Sequence, residues 1–478
     1  MAMNKVVHAA QRAAFSVAID ATINAVRGKG PENMAEQAVK LVNLAQPLLA
    51  KRYPDANWDA VRAFVSDPNS KWMQYAYRAI NEIDPHILKM NALNLVYEGM
   101  FAGYNYVMEL REKYDCNMPW ILLFDPTSAC NLHCKGCWAA EYGNRLNLSF
   151  EDMDRIVTEG EELGIHWYMC TGGEPTCRKE DLFKLAEKHQ SSVFHLFTNG
   201  TLIDQAFCDR VKQLGNMAFF ISIEGIGDAT DDRRGAGVYD RVMHAMDLMK
   251  ENGLLFGTSI CYTSANYKAV TSDEFMDMLI SHGVRFNWYF HYMPIGDGAN
   301  VNLMLNAEQR EYMIHRVREI RGYTGGKPIF CIDFQNDGEY IDGCIAGGPA
   351  STPTSTRPAM WSPASLSTTP TPTSTTRACW SACSSPCSRN ITRASLSTTT
   401  ICVPAQCWKT PSCWARWSSA AAPIAPICSS RNPPAMSSAA ASPTPTSGPR
   451  LLTASGLRNI PIVPAVHPAP PVLPSKTA

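Results

Sequence analysis

Three cysteines fall close together in the segment Cys130-Asn-Leu-His-Cys134-Lys-Gly-Cys137. Thiolates bind soft metals, and a CxxxCxxC run on one loop can place each sulfur on a separate iron of a [4Fe–4S] cube. Three ligands for four irons leave one iron open, so the spacing points to a reactive cluster rather than a closed clip. The competing reading is zinc, whose structural sites take four Cys or His ligands, commonly from paired CxxC units. No fourth ligand with such spacing lies nearby, although His133 sits inside the loop.

A reactive loop needs rigid elements on either side. From Trp120 to about Gly322 short apolar, β-rich runs alternate with helical patterns. The strands are expected at 120–124, 166–171, 193–198, 217–223, 255–263 and 284–293. Helices are expected at 150–163, 182–189, 203–214, 239–252 and 272–282. Six βα units imply an α/β fold with a parallel sheet, either doubly wound or curled into a partial barrel. In both, chemistry collects on the loops after the strands' C-terminal ends. Such loops here carry the cysteine run, then Gly172-Gly173-Glu174-Pro175, Thr198-Asn199-Gly200-Thr201, Ser222-Ile223-Glu224-Gly225 and Met293-Pro294-Ile295-Gly296. Any one of them alone is an ordinary strand-end turn. Five in order on one end of a sheet, led by a cysteine loop, are not.

Over about residues 118–300 this constellation resembles the radical S-adenosylmethionine (SAM) enzymes. The resemblance implies a partial (β/α)6 barrel and a [4Fe–4S] cluster on Cys130, Cys134 and Cys137. SAM would chelate the fourth iron and be cleaved reductively to methionine and a 5′-deoxyadenosyl radical, which takes hydrogen from a substrate. It also implies SAM contacts at Gly172, Gly173, Glu174 and Pro175, with Glu174 accepting from the SAM ammonium and the glycines admitting its methionine end. Ser222 and Glu224 match the family's ribose-contacting strand, and Asn199 and Ile295 are weaker candidates. Arg233 and Arg234 are within sequence reach of a carboxylate, or are simply solvated. One departure stands out: the family often has an aromatic residue before the last cysteine, whereas this chain has Gly136, with Trp138 as a candidate replacement shield.

Residues 1–115 read as a helical domain that could cover the barrel mouth or bind substrate. Tyr75, Tyr77, Met90, Tyr97, Met100, Phe101 and Tyr104 are candidates for a groove lining, or for core. No basic stripe in the front part suggests nucleic acid. Neither a secretory signal nor an apolar membrane-length run is apparent, so a cytoplasmic location is expected.

The character of the chain breaks after Gly348. Residues 349–478 contain no Asp, Glu, Phe or Tyr and are dominated by Ser, Thr, Pro and Ala. Such a stretch cannot offset its ordering entropy and is expected to be disordered, as a linker or as the product of a shifted reading frame. Met and Trp have single codons, so Met360-Trp361 must be ATG TGG, and regrouping its bases yields GTG, valine. Permitted codons continue that register as ordinary globular sequence, including GDVEPC. With Cys344 this resembles the start of a SPASM-type extension over 326–348, which would hold an auxiliary iron–sulfur cluster largely lost from this chain. The cysteines from Cys379 to Cys428 would then be accidental.

The leading expectation is therefore a radical SAM enzyme acting on a peptide or protein, supplied with electrons by a flavodoxin or ferredoxin. The alternatives are a small-molecule, cofactor or lipid substrate, and a non-catalytic iron–sulfur or zinc-binding scaffold.

Overall fold

The computed structural model describes residues 5–50, 56–114, 119, 121–137, 139, 146–295, 298–322, 326–337 and 363–365. Trp138, Cys344 and the tail beyond 365 lie outside them. The chain divides into two units at Ala422, and the second lies wholly outside the described residues.

Six helical segments come first: α1 (Lys5–Val26), α2 (Pro31–Leu49), α3 (Trp58–Ser66), α4 (Lys71–Glu82), α5 (Pro85–Asn91) and, after a π-helical stretch at Ala92–Ala102, α6 (Gly103–Tyr114). Then β1 (Ile121–Thr127), α7 (Phe150–Glu162), β2 (Trp167–Gly172), α8 (Lys179–Lys188), β3 (Val193–Thr198), α9 (Gln205–Leu214) and β4 (Met217–Ser222) alternate. The alternation continues through α10 (Asp228–Arg234), α11 (Val238–Glu251), β5 (Phe256–Tyr262), α12 (Asp273–Ser281), β6 (Phe286–His291), α13 (Ala307–Arg321) and β7 (Phe330–Asp333). Local signals set many boundaries. Ser149, Asp204 and Ser272 cap α7, α9 and α12 by accepting backbone N–H bonds, and Gly215 ends α9 in the left-handed conformation.

All neighbouring strands are parallel and lie in chain order from β1 to β7. A doubly wound sheet reverses its order at a switch point; this one does not. It curls instead. Phe197 on β3 lies 5.6 Å and 5.8 Å from the rings of Trp288 and Phe290 on β6, whereas three strand spacings in a flat sheet amount to about 14 Å. The sheet is thus a partial barrel with seven strands rather than six. The seventh was missed because β7 spans four residues, too short for a periodic signal, and it falls in the segment read as the start of the extension. A three-residue strand, β8 (Pro363–Ser365), pairs in parallel with the outer edge of β1.

Side chains pointing outward, among them Phe194, Leu196, Phe219, Ile221, Ile260 and Tyr289, are sealed under the helices in the main core. Each such burial is worth roughly 1.5–3 kcal/mol. Side chains pointing into the barrel form a second cluster of Ile121, Met169 and Phe220, with Leu123, Trp167, Phe197, Phe286 and Trp288 packed against it.

The N-terminal helices meet segments that precede strands. Asp84 donates its backbone N–H to Gly253 O, just before β5, and Asn91 Nδ2 reaches Gly215 O, just before β4. Asn94 Nδ2 donates to Gln190 O and Ser192 O before β3, and Glu82 pairs with Arg285 before β6. These helices therefore close the floor of the barrel, opposite the loops that carry the motifs. The expectation that they cover its mouth is corrected: their polar anchors are complementary to the strands' N-terminal ends. The aromatic residues do not form one groove either. Tyr97 is core, while Met100 and Phe101 are exposed, and the side chain of Tyr104 lies outside the described set.

Candidate functional site

The loop from Cys130 to Cys137 is held from four sides, each by a different strand end. The second strand acts through its Gly-Gly-Glu turn. Gly173 N donates to Thr127 O at 2.9 Å and Glu174 N to Ala129 O at 2.7 Å. A Cβ on Gly173 would lie 2.2 Å from Ala129 O, and one on Gly172, at φ +106°, would lie 2.4 Å from Thr127 O. These glycines let two backbones touch immediately before Cys130. That is a different close approach from the one expected, in which they admit a ligand.

The third strand acts through amides. Asn199 Nδ2 donates to Asn131 Oδ1, and Asn131 Nδ2 donates to Thr201 Oγ1, both at 2.8 Å. Asn131 lies inside the cysteine loop. Glu174 ties the second and third strand ends together. Its Oε1 accepts from Thr176 N, Thr176 Oγ1 and Thr198 Oγ1, and its Oε2 accepts from Asn199 N at 2.7 Å. Those bonds take most of the lone-pair sites of a carboxylate. The group is almost wholly buried, and burial raises its pKa although the Asn199 N–H opposes the rise.

The fourth strand acts through charge. The Glu224 carboxylate, 2% exposed, pairs with Arg233 at 3.1 Å and with Arg234 at 2.5 Å. Arg233 and Arg234 thus reach a carboxylate of the chain itself. Arg234 Nη1 lies 4.0 Å from Cys134 Sγ, and Lys135 N donates to Arg233 O at 2.8 Å. Ser222, half-buried and pointing inward between the outward Ile221 and Ile223, makes no such internal pair.

The end of the sixth strand supplies Tyr292. A Cβ on Gly136, at φ +64°, would lie 2.8 Å from the Tyr292 hydroxyl and 3.0 Å from its ring. Tyr292 is buried, and its hydroxyl accepts from Asn300 N at 3.0 Å. The aromatic group that the sequence lacks beside the last cysteine therefore arrives from the other side of the barrel. No local signal marks Tyr292, and although Asn131 and Thr198 fall within sequence motifs, their roles are not legible there because their partners are distant in sequence. Ile295 is 47% exposed on the loop after β6, and Pro175 is buried.

The three thiols are half-buried and free of disulfides. Burial pushes the Cys130 thiol up to about 11, with smaller contributions from Glu174, Cys134 and Cys137. Burial also raises Cys134, with Arg234 opposing. Cys134 thus has a cation within reach of its sulfur. Among the described residues, no three His, Cys, Asp or Glu side chains converge on a point that could hold one ion. A single zinc needs its sulfurs about 2.3 Å from one centre, whereas a cube places each thiolate on its own iron. Three thiols with no fourth ligand of fitting spacing nearby in the sequence suit a cluster better than a zinc clip.

Below the loop, the inward face of the barrel is aromatic. Phe197 stacks on Phe220, and Trp288, Phe290 and Phe334 continue the surface. Phe197, Trp288, Phe290 and Phe334 are half-buried, although their outward neighbours are sealed. Asp125 accepts from Thr171 Oγ1 at 2.5 Å at the polar rim above them, where Ser222 and Ser259 also lie.

Residues 124–279 match the family model described as the radical SAM superfamily. The chain is 27% identical over 235 residues to the Fe-coproporphyrin III synthase of Methanosarcina barkeri, spanning 46% of this chain and 57% of that protein. It is 31% identical over 142 residues to the PqqA peptide cyclase of Granulibacter bethesdensis, spanning 28% and 38%. The solved structure of Streptococcus suis SuiB bound to S-adenosylmethionine aligns over 56% of this chain and 62% of that one, at 16% identity and a TM-score of 0.43. The chain thus spans between about a third and three fifths of the length of the curated relatives it matches.

Proposed function

We propose that this chain is a radical SAM enzyme that binds a [4Fe–4S] cluster on Cys130, Cys134 and Cys137 and SAM beside it. When bound, the pair would supply a 5′-deoxyadenosyl radical by one-electron cleavage of SAM. The observation that carries the reading is the four-sided support of the cysteine loop at the C-terminal mouth of the barrel.

The chain's own residues divide the work. Cys130, Cys134 and Cys137 hold the irons. Glu174, Asn199 and Glu224 act mainly by holding the loop, since their polar groups are largely engaged within the protein. The backbone of Gly172 and Gly173 and the inward hydroxyl of Ser222 are left to face SAM, with Ile295 at the edge, while the buried Pro175 fixes the turn. The apolar lumen excludes water from a reactive radical. Anaerobic reconstitution with iron, sulfide and SAM tests the assignment: 5′-deoxyadenosine should form under dithionite. Its absence, or unchanged cluster absorbance in Cys134→Ala, sinks the reading.

By their names, one of the relatives above acts on a peptide and the other makes an iron coproporphyrin. The peptide reading is supported by the peptide cyclase relative. A second reading, a flat cofactor-like macrocycle, is favoured by the half-buried aromatic lumen. A macrocycle can lie along such a surface with its whole face, a peptide only with single side chains. Titration with Fe-coproporphyrin III separates them. A shifted absorbance band that Phe197→Ala weakens supports the macrocycle; no shift, together with turnover of a precursor peptide, supports the peptide. We also propose that Cys344 begins a SPASM-type extension interrupted by a frameshift, which resequencing of the gene would decide, and that a small electron-transfer protein is the reductant.

A further inference from the structure

We infer that Arg234, balanced by Glu224, sets the reduction potential of the cluster through Cys134. The inference rests on the cluster reading above and assigns Arg234 as a positioning and tuning residue, not a catalytic one.

The observations are local and mutually supporting. Arg234 Nη1 points at Cys134 Sγ from 4.0 Å, the long end of an N–H···S contact. Its guanidinium cannot drift, because Nε and Nη2 both bond the Glu224 carboxylate, at 2.5 Å and 2.6 Å. Glu224 is anchored in turn. Its backbone N–H donates to Thr230 Oγ1 and its carbonyl accepts from Asn266 Nδ2. The end of α10 is stitched to the cysteine loop by Lys135 N to Arg233 O, and Arg233 Nε returns to Lys135 O. The guanidinium is deeply buried. Burial opposes its charge, but the Glu224 carboxylate more than compensates and holds its pKa above the usual arginine value.

Two arginines and one glutamate leave a net charge of +1 in this cluster. These bonds help to hold the cysteine loop, but holding it requires no net charge, because hydrogen bonds and packing at Asn131, Ala129 and Gly136 act on the loop without one. What a buried cation beside a thiolate does is favour the more negative state of whatever that thiolate ligates. One-electron reduction of the cluster by an external low-potential donor lowers its charge by one and moves no proton. Hydrogen bonds and charge at the ligand sulfurs are established levers on cluster potential. A cation held at this range in partly buried surroundings easily changes the reduction equilibrium on the order of tenfold, which for one electron is about 59 mV.

The test is a mediator-coupled titration of the reconstituted protein, followed by visible absorbance and electron paramagnetic resonance. Arg234→Gln, which leaves Glu224 paired only with Arg233, should move the midpoint about 59 mV more negative. Glu224→Gln, which leaves two arginines unbalanced, should move it more positive. Arg234→Lys keeps the charge and should stay near the parent value. Opposite shifts support the inference, because a merely structural role would alter iron content without such a sign pattern. Unchanged midpoints, or shifts in the same direction, at parental iron content overturn it while leaving the cluster reading intact. If Arg234→Gln takes up no iron, the Glu224→Gln and Arg234→Lys pair decides by the same signs. Failure of the parent protein to assemble any cluster overturns both readings.

Discussion

Replacing Gly173 by Ala separates two reasons for a glycine at this position. A glycine needed for ligand approach should, when replaced, leave the fold intact and weaken SAM binding. A glycine needed for backbone contact should, when replaced, break the support of the cysteine loop. The structure favours the second. The added methyl group would sit 2.2 Å from Ala129 O, 2.5 Å from Ala129 C and 2.5 Å from Ser128 O. All three are backbone atoms and cannot rotate away. Relief requires the turn to lift off the 127–129 segment, which stretches Gly173 N→Thr127 O and Glu174 N→Ala129 O. Two net hydrogen bonds amount to roughly 1–3 kcal/mol, and overpacking adds roughly 1–3 kcal/mol. The expected loss is therefore about 2–6 kcal/mol, by the same principles. Denaturant unfolding of the apo-protein measures it without any cofactor, and iron bound per chain after anaerobic reconstitution gives a second readout. Gly30→Ala is the control: its φ is −68°, and its added methyl would meet only the mobile Glu32 carboxylate, at 3.1 Å. Parental stability and iron content in Gly173→Ala, with only SAM affinity reduced, would refute the packing argument.

Two further predictions probe the barrel's far side. Gly136→Phe, which puts an aromatic residue in the position usual for the family, should destabilise by roughly 2–5 kcal/mol, combining left-handed strain with overpacking against Tyr292; adding Tyr292→Ala should recover part of the loss, and a cycle with no coupling would show that the two side chains do not compete for one space. Asp333 at the end of β7 is 1% exposed, and burial raises its carboxyl to about 6, against the contributions of its bonds from Asn336 and Tyr262. Because the folded state holds this proton more tightly than the unfolded chain, ionisation costs ~3 kcal/mol that is absent below pH 3.8, grows as pH rises and is complete above about 6. The difference in unfolding free energy between the parent and Asp333→Asn should therefore vary across that window in the direction of a parent relatively more stable in acid, and a flat difference would contradict the assignment.

Some of this was legible because its physics is local. Metal-ligand spacing is a property of a short loop, so Cys130, Cys134 and Cys137 could be singled out before any tertiary structure was known. Strand and helix alternation repeats over many residues, so β1 to β6 fell where apolar patterning placed them. Turn chemistry marked the loop after each strand. The four-residue β7 was invisible for the converse reason, since its pairing with β6 supplies what its own length cannot.

Partners were not legible. Glu174 and Glu224 are carboxylates in the right loops, and their types alone allow them to meet a ligand. Pairing of the adjacent strands β2 and β3 instead brings Thr198 and Asn199 to the first, and the return of α10 over the end of β4 brings Arg233 and Arg234 to the second. The floor-side position of the N-terminal helices follows from bonds to segments preceding the strands, which no periodicity encodes. Gly136 shows the division most clearly. The sequence by itself determined that this position has no side chain and that the cysteine beside it can carry a soft metal. Only the closed arc of the barrel decided that Tyr292, 156 positions later in the chain, fills the space, because side chains so far apart meet only when strand order and curl bring β1 and β6 to one mouth.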